Sequence, residues 1–455
     1  MVDIHADIKN RLFTITRMGG NELLTPGTEL TELKFEGFLD WFVCITDPKV
    51  HWKYEPTYII SQIVVVLGGL FTLIHALVRG GRLPWLWFGI TLHGIFVEIL
   101  CYIIPDVDNF WHSQTPIIFF GRRLPLHIIL VYNCLIYNAS IAVAKMRLPK
   151  WSEPFAVGLT VVLIDLPYDI VGVKFVHWFW HDTDPNIYDR HYSVPWNSYY
   201  FHSAFTCSFV FWFHFLRREF CQSKGKWFKG KSFLKEFFAT FLASLLGPIG
   251  GLPLFIPIYH PLHDVFNIHS EVTYFILLTI FLLLIWSGDR MSRSNEVNWK
   301  IPNKTHWTTF LLILHLVLHY TTFWIIPILF NPENEISTGI KEQIGPCNEY
   351  VAVQTISGMI LQKRKYLCLS DYDETYFDWH CLPKQQHPTN KALWYTSCGT
   401  PFENRTEYIA VVSLICLLAS VVFYNLHFKS FGDQVFSLTD DQLKLCNPKL
   451  KRKKL

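Results

Sequence analysis

Long apolar stretches recur along this chain and are separated by short polar connections. A helix needs about 20 apolar residues to cross the roughly 30 Å of hydrocarbon in a bilayer. The polar residues in these stretches do not recur at the spacing of an amphipathic helix, which excludes the buried helices of a soluble protein. The pattern predicts an all-α, polytopic membrane helix bundle with about nine transmembrane helices. The predicted spans are residues 57–78, 84–104, 124–144, 154–179, 199–216, 237–258, 272–288, 307–330 and 408–428.

These spans divide the chain into five parts. An N-terminal segment, residues 1–55, contains no spanning stretch, and residues 56–330 form an eight-helix membrane bundle. A cysteine-rich loop, residues 331–407, then precedes the ninth helix, residues 408–428, and a basic tail, residues 429–455. The chain shows no internal repeat, so the inverted-repeat plan of many secondary transporters is not supported.

Basic residues are distributed unequally between the connections. Among the short connections, one alternating set holds sixteen lysines and arginines, whereas the other holds only Arg122, Arg123 and Arg190. Because cytosolic connections are richer in these residues, the set of sixteen is predicted to be cytosolic. The N-terminus and the cysteine-rich loop are then lumenal, and the C-terminus is cytosolic. The sixteen are Arg79, Arg82, Lys145, Arg147, Lys150, Arg217, Arg218, Lys224, Lys226, Lys229, Lys231, Lys235, Arg290, Arg293, Lys300 and Lys304.

The cysteine-rich loop carries four cysteines, which allow three pairings. Disulfides are favoured over a zinc site, because the loop is predicted to lie in an oxidising lumen and no two cysteines have the close spacing of a metal knuckle. The sequence therefore predicts a disulfide-braced lumenal loop whose pairing stays open. The four cysteines are Cys347, Cys368, Cys381 and Cys398.

Two short motifs near the end of the chain bear on localisation. Asn404 begins an Asn-Arg-Thr acceptor sequence for glycosylation, whereas the acceptor at Asn303 falls in a predicted cytosolic connection. Lys451 and Lys453, third and fifth from the end of the sequence, resemble a dilysine retrieval signal of the endoplasmic reticulum. The alternative is a basic tail that contacts anionic lipid. We predict a protein of the endoplasmic-reticulum membrane.

Ionisable residues within predicted spans are costly, so they are the candidates for chemistry. Asp165 and Asp169 lie one helical turn apart, hence on one face and about 6 Å from each other. Two such carboxylates do not both ionise easily, which is what an acid and base pair needs. The alternative is a structural pair held by Lys174, by His127 or by backbone groups that Pro167 frees. We favour the functional interpretation.

The remaining candidates fall in or beside the same half of the predicted spans. An aromatic and polar connection precedes the fifth span and is predicted to lie just above the two aspartates. The predicted catalytic residues are Asp165, Asp169, His202 and Glu98. The predicted substrate-binding residues are His93, His127, Lys174, His181, Asp182 and Asn197.

A second set of histidines raises the question of a metal. His315 and His319 are one turn apart on the eighth span, and His263 precedes Asp264 near the end of the sixth. Histidines at this spacing can bind zinc, but there is no glutamate beside the first histidine, and a structural pair is preferred. We therefore predict no cofactor and keep zinc as an alternative at these three histidines.

The segment from Asp165 to Phe205 resembles membrane-bound carotenoid hydratases and carotenoid biosynthesis proteins of microbes. The resemblance rests on acidic residues with a proline, a Trp-Phe-Trp sequence and Tyr-Ser-Val-Pro-Trp-Asn at 192–197. It implies hydration of a terminal double bond of a polyisoprenoid without a redox cofactor. Asp165 and Asp169 would then handle protons, and residues 192–197 would form part of the rim. The cysteine-rich loop, the ninth helix and the tail depart from that family. The whole chain also resembles an uncharacterised family of invertebrate multi-spanning proteins, which implies no activity.

These observations support three functions. The preferred one is a lipid-modifying enzyme, in which Asp165 or Asp169 protonates an isoprenoid or another lipid and its partner, with His202, activates water. The second is a non-enzymatic lipid conduit or scaffold subunit of a lipid-transfer complex, and the third is a transporter that uses the same carboxylates as a relay. The predicted partners are membrane lipids and other membrane-protein subunits, with no nucleic acid.

Overall fold

The computed structural model describes residues 21–437 except 105–107, 182, 222–224, 294–304, 356–357, 373 and 384–385. Over these residues the chain forms nine long helices, numbered here α1 to α9, and each overlaps one predicted span. They are α1 Pro56–Arg79, α2 Leu83–Ile103, α3 Leu126–Ala144, α4 Glu153–Lys174, α5 Trp196–Phe220, α6 Phe233–His260, α7 Ser270–Arg293, α8 Thr309–Leu329 and α9 Arg405–Tyr424.

Eight of these helices are long and apolar enough to cross a membrane, which confirms the membrane-protein character within the part of the chain that is described. The exception is α5. It has 25 residues, but its serines, tyrosines and histidines make it too polar for the same criterion. Composition and length therefore establish eight candidate spans rather than the predicted nine.

Successive long helices run in opposite directions and give the bundle two ends. At one end Arg82 N donates to the carbonyl of Trp227 over 2.9 Å, and Phe431 N donates to the carbonyl of Lys145 over 3.1 Å. We call this end, formed by residues 79–83, 144–153, 217–221, 225–236, 305–309 and 425–437, the Arg82 end. The opposite end, which carries the N-terminal segment and the cysteine-rich loop, is called the loop end.

The prediction of an all-α chain is correct for the bundle, but the loop end also contains short strands. They form five small antiparallel sheets, ordered β1-β3-β4, β2-β5, β6-β7, β9-β10 and β8-β12-β11. Backbone groups that leave the helices need hydrogen-bond partners, and short ladders provide them. The strands are β1 Val43–Ile45, β2 Phe110–His112, β3 Ile117–Phe119, β4 Leu124–Pro125, β5 Trp178–Trp180, β6 Arg190–His191, β7 Val194–Pro195, β8 Ile336–Ile340, β9 Tyr350–Gln354, β10 Ile360–Arg364, β11 Phe377–Asp378 and β12 Trp394–Gly399.

Short helical segments complete the described chain. α3 contains a π-helical segment within its middle third, and α6 and α9 each continue into a π turn. The α-helical segments are Phe38–Phe42 and Pro48–Tyr54; the 3-10 segments are Glu22–Leu24, Pro185–Ile187, Pro332–Asn334 and Asp433–Ser437; the π-helical segments are Asn133–Tyr137, Pro261–Val265 and Asn425–Lys429.

The predicted disulfides of the cysteine-rich loop are confirmed, and the structure gives their pairing. Cys347 bonds to Cys368, and Cys381 bonds to Cys398 on β12. β12 pairs along its length with β8, which follows α8 directly. The loop is therefore fixed to the end of the bundle rather than attached only through its two termini.

Helix α4 lies at the centre of the bundle. It packs against α3, α5, α7, α8 and α9, and with α3 it is the most buried of the candidate spans. Helix α5 lies along it, and residues on their contact face are shielded from the surroundings of the bundle. The acidic residues that the sequence places on α4 are consequently interior residues.

Candidate functional site

Two side chains of α4 face two side chains of α5. Asp165 and Asp169 are one turn apart on α4, as are Ser198 and His202 on α5, and the opposite directions of the helices align the two pairs. Nε2 of His202 lies 3.4 Å from Oδ1 of Asp165. Ser198 Oγ donates to Oδ2 of Asp169 over 2.8 Å. We call these four residues the Asp165 cluster.

A glycine allows the close approach of the two helices. A Cβ on Gly158 of α4 would lie 2.5 Å from the backbone oxygen of Ser203 on α5, a distance at which the helices would have to separate. Ser203 follows His202 directly. The absence of a side chain at Gly158 therefore helps to bring the histidine against α4.

Pro167 lies between the two aspartates and changes the backbone there. Proline has no N–H, so the carbonyl of Leu163 one turn earlier loses its helical donor. Tyr320 Oη donates to this carbonyl over 3.2 Å, and Nε2 of His319 donates to the next carbonyl, that of Ile164, over 2.8 Å. Helix α8 thus satisfies the backbone that the proline exposes, and this fixes α4 at the cluster.

The two aspartates are buried without a basic partner. Asp165 is 1% exposed and Asp169 is 5% exposed. Among the described residues, no lysine or arginine forms an ion pair with either carboxylate, and Oδ2 of Asp165 has no hydrogen-bond partner. Lys174, considered above as a structural partner, instead donates to Thr400 Oγ1 over 3.1 Å. Among the described residues, His202 is the group next to the pair that can carry a positive charge.

Part of the cluster is open to the outside of the bundle. The His202 side chain is 24% exposed, and it lies within a long helix rather than at a helix end. Beside it, the buried hydroxyl of Tyr199 has no hydrogen-bond partner and lies within electrostatic range of both aspartates. His202 is therefore the partly exposed member of a cluster whose two aspartates are buried.

Glu98, the fourth predicted catalytic residue, belongs to a separate arrangement. Tyr102 Oη donates to Oε2 of Glu98 over 2.6 Å, and Tyr132 Oη donates to its Oε1 over 2.9 Å. Nε2 of His112 lies 3.6 Å from Oε2. Glu98 is thus held by its own partners, although it is within electrostatic range of His202.

His93 and His127 are buried at two further positions. His93 stacks on Phe209, and its Nδ1 lies 3.4 Å from the carbonyl of Ser244. It is within electrostatic range of His202. His127 packs edge-on against the ring of Tyr58, and neither of its ring nitrogens has a hydrogen-bond partner. The structure places His93 near the Asp165 cluster and His127 near the loop end.

Three of the predicted binding residues come from the connection before α5 or from the first turn of this helix. Nδ1 of His181 lies 3.4 Å from Oε1 of Glu374, so this histidine contacts the cysteine-rich loop. Asn197 is buried and donates to the carbonyl of Asn186, which fixes the start of α5. Asp182 lies outside the described residues. The contacts of His181 and Asn197 hold the loop end together.

The three histidines considered for zinc are not brought together. His315 and His319 are neighbours, but Nδ1 of His315 lies 3.1 Å from the side-chain nitrogen of Asn138, and His319 binds the backbone of α4. His263 hydrogen-bonds Asp264 over 2.7 Å at the loop end.

Two sets of three side chains among the described residues bring possible metal-ligand atoms together. In each set, one atom from each residue lies within 4.8 Å of the other two. The first is Asp165, Asp169 and His202. The second is Asp378, His380 and Cys398, but the sulfur of Cys398 is bonded to Cys381 and is not a free thiolate.

A group at the loop end was not anticipated from the sequence. Glu55, Glu335 and Lys341 are all buried, and Lys341 Nζ donates to the carbonyl of Tyr395 over 3.2 Å. Burial raises the pKa of Glu55 and lowers the pKa of Lys341. Glu55 lies far from the other two in the chain, and only the fold of the loop end brings it near them.

Ser198 was also missed, although a signal for it was present. It is one turn before His202, the same spacing as that between the two aspartates. Two pairs at one-turn spacing on successive helices that run in opposite directions can align.

Comparison with known proteins identifies the family and no activity. Residues 29–428 match the model of a family described as "Domain of unknown function (DUF7802)". Neither curated proteins nor solved structures give a match. The resemblance of the whole chain to an uncharacterised family is confirmed, whereas the local resemblance to carotenoid hydratases is not supported by these comparisons.

Proposed function

We propose that this chain, which belongs to the DUF7802 family, acts on membrane lipid through the Asp165 cluster. The proposed reaction is the addition of water to, or its removal from, an isoprenoid or another lipid by acid–base catalysis. The observation that carries this proposal is the pair of buried carboxylates beside His202, without a lysine or arginine partner among the described residues.

The roles follow from the contacts. Two neighbouring carboxylates in a low-dielectric interior share one proton, so one acts as an acid and the other as a base. In the hydration direction, the protonated aspartate gives its proton to one carbon of a double bond, and water adds to the other carbon. The ionised carboxylate, with His202, takes the proton that water loses. The exposed part of His202 supplies the side from which a lipid reaches the pair.

The membrane topology is part of the proposal. Helix α5 joins the loop end to the Arg82 end as the eight apolar helices do: Asn197 contacts Asn186 at its start, and Arg217 donates to Gly225 near its finish. With α5 included the chain crosses nine times. The excess of basic residues at the Arg82 end places that end in the cytosol.

The loop end is then lumenal, in agreement with its disulfides. Residence in the endoplasmic reticulum rests on Lys451 and Lys453, which lie outside the described residues. Asn404, the proposed glycosylation site, also caps α9, because its Oδ1 accepts from Glu407 N. A glycan on Asn303 would contradict the orientation.

The experiment is lipid mass spectrometry on the purified full chain. Wild type, Asp165→Asn and Asp169→Asn are compared for co-purifying lipids and for conversion of an isoprenoid mixture added in vesicles. We expect a product that differs from its substrate by one water and that falls by at least about 100-fold in both variants, the upper range of acid–base contributions being 10²–10⁴. Asp264→Asn is the matched control, since Asp264 is a buried carboxylate that hydrogen-bonds His260 and His263 at the loop end.

Two outcomes contradict the proposal. Equal conversion by Asp165→Asn, Asp169→Asn and Asp264→Asn would show that the cluster is not catalytic. Phospholipid bound unchanged in all the proteins, together with co-purifying membrane-protein subunits, would favour the lipid conduit. Retained abundance and a single peak in gel filtration show that the variants are folded.

A further inference from the structure

We infer that Asp165, Asp169 and His202 bind a divalent transition-metal cation of the zinc class, with a water molecule at its open position. This inference rests on the proposed function, because it names the group that would activate the water at the same site. It differs from the zinc alternative predicted at His315, His319 and His263. The ligand set is two carboxylate oxygens from α4 and one imidazole nitrogen from α5.

The spacing of the side chains fits such an ion. Zinc bonds of about 2.0–2.1 Å in a tetrahedron place neighbouring ligand atoms about 3.3–3.4 Å apart. Nε2 of His202 and Oδ1 of Asp165 are 3.4 Å apart. The Asp169 ligand atom lies within 4.8 Å of both, so a small rotation of its side chain completes the set. Three protein ligands and one open position are typical of catalytic zinc sites.

A cation would also compensate the negative charge of the cluster. The two buried carboxylates have no lysine or arginine partner among the described residues, and Oδ2 of Asp165 has no hydrogen-bond partner. A divalent ion balances two ionised carboxylates. With the ion bound, the water at its open position would take over the proton transfer assigned above to the aspartate pair, because a zinc-bound water loses its proton near neutral pH. This water would give its proton to one carbon of the double bond and its hydroxide to the other.

Two neighbouring side chains could orient a ligand of the metal or hydrogen-bond its water. Ser198 Oγ donates to Oδ2 of Asp169 over 2.8 Å and would orient this ligand. The hydroxyl of Tyr199 is fully buried, lacks a hydrogen-bond partner and lies within electrostatic range of both aspartates. This unpaired donor is an independent sign of a missing acceptor, and a metal-bound hydroxide would provide one.

The cation is tested by its binding, independently of any lipid reaction. The purified full chain is stripped with a chelator, dialysed and titrated with Zn²⁺, and metal content is measured by inductively coupled plasma mass spectrometry. We expect about one zinc per chain for wild type and for Asp264→Asn. Asp169→Asn and His202→Gln should bind more than about 100-fold more weakly, and Ser198→Ala about 10- to 100-fold more weakly.

Cobalt gives a second readout. Co²⁺ in a tetrahedral site with these ligands should produce visible absorption in wild type and in Asp264→Asn, and none in His202→Gln. A wild type that takes up no zinc and no cobalt, or variants that bind both as wild type does, would overturn the inference. Gel filtration and the circular dichroism of each variant separate loss of the site from loss of the fold.

Chelation separates this inference from the proposed function. Lipid conversion that is lost on stripping and returns with zinc supports both. Conversion that persists in the stripped protein overturns the metal and leaves acid–base catalysis by the aspartate pair. Stoichiometric zinc with no lipid conversion leaves the metal site in place and removes the proposed reaction.

Discussion

The Arg82 end and the Asp165 cluster both bury ionisable side chains, but they differ in the partners of these side chains. At the Arg82 end three buried cations have acidic partners: Nε of Arg82 lies 3.1 Å from Oε2 of Glu236, and both side chains are fully buried. Lys145 pairs with Asp433 over 2.9 Å, and Lys226 pairs with Glu153. In the Asp165 cluster two carboxylates face each other and a histidine.

This difference separates a structural from a functional use of charge. A buried ion pair compensates the cost of desolvation, and it fixes which helix ends meet. Burying two carboxylates without a cation costs free energy and forms no ion pair between helices. Such groups concentrate at sites of chemistry or ion binding. The comparison therefore predicts opposite responses to the removal of one charge at the two places.

The largest expected loss of stability is caused by a change at Arg82. In Arg82→Met the carboxylate of Glu236 stays buried without a cation among the described residues, although the backbone N–H of Gly230 still donates to it. Removing one partner of a buried pair costs about 3–5 kcal/mol. We expect a clear fall in the thermal midpoint of the detergent-solubilised protein, followed by fluorescence-detected gel filtration.

The matched control removes both charges at once. Arg82→Met combined with Glu236→Leu should recover most of the lost stability, since a buried pair replaced by apolar residues is often neutral. An Arg82→Met protein as stable as wild type would show that this ion pair does not hold the Arg82 end together, and the contrast with the Asp165 cluster would fail.

The sequence could predict one side of this comparison better than the other. Hydropathy located all nine long helices, because a stretch of apolar residues implies a helix wherever it packs. One-turn spacing identified Asp165 and Asp169 as a pair, because that spacing is local. It could not show that Arg82, Lys145 and Lys226, counted only as basic connections, are buried against acids from distant helices. Strands that pair over long distances were missed for the same reason, since β2 pairs with β5 across about 68 residues of sequence.

An intermediate effect on stability is expected at His51. This histidine lies at the loop end and is buried without an ion-pair partner among the described residues. His51 is buried against Thr46, whose Oγ1 lies 2.7 Å from its Nε2. Burial lowers the pKa of His51 to about 4, although the charge of Asp47 and a hydrogen bond that the imidazole donates to the backbone carbonyl of Gln114 both raise it. Its ordinary pKa is about 6.5.

The sign of the pH effect follows from proton binding. Between pH 6.5 and 4 the unfolded chain binds a proton at this histidine and the folded chain does not, so stability falls as the pH falls. The loss between pH 7.5 and pH 5 should be about 2 kcal/mol. His51→Gln keeps a polar partner for Thr46 and removes the titration, so its thermal midpoint should fall less over this interval. Parallel pH profiles for the two proteins would exclude His51 as the source.

The smallest change in stability is expected at the Asp165 cluster itself. Asp165→Asn and Asp169→Asn each remove one of two neighbouring buried carboxyl groups while preserving size and a hydrogen-bonding oxygen. In the presence of a chelator, which removes any contribution from a bound cation, we expect unfolding free energies within about 1 kcal/mol of wild type or above it. The measurement is the same thermal midpoint used for Arg82→Met, in the same detergent and at the same pH. A loss as large as that of Arg82→Met would mean that the aspartates hold α4 against α5, and the pair would then belong with the structural charges of the Arg82 end.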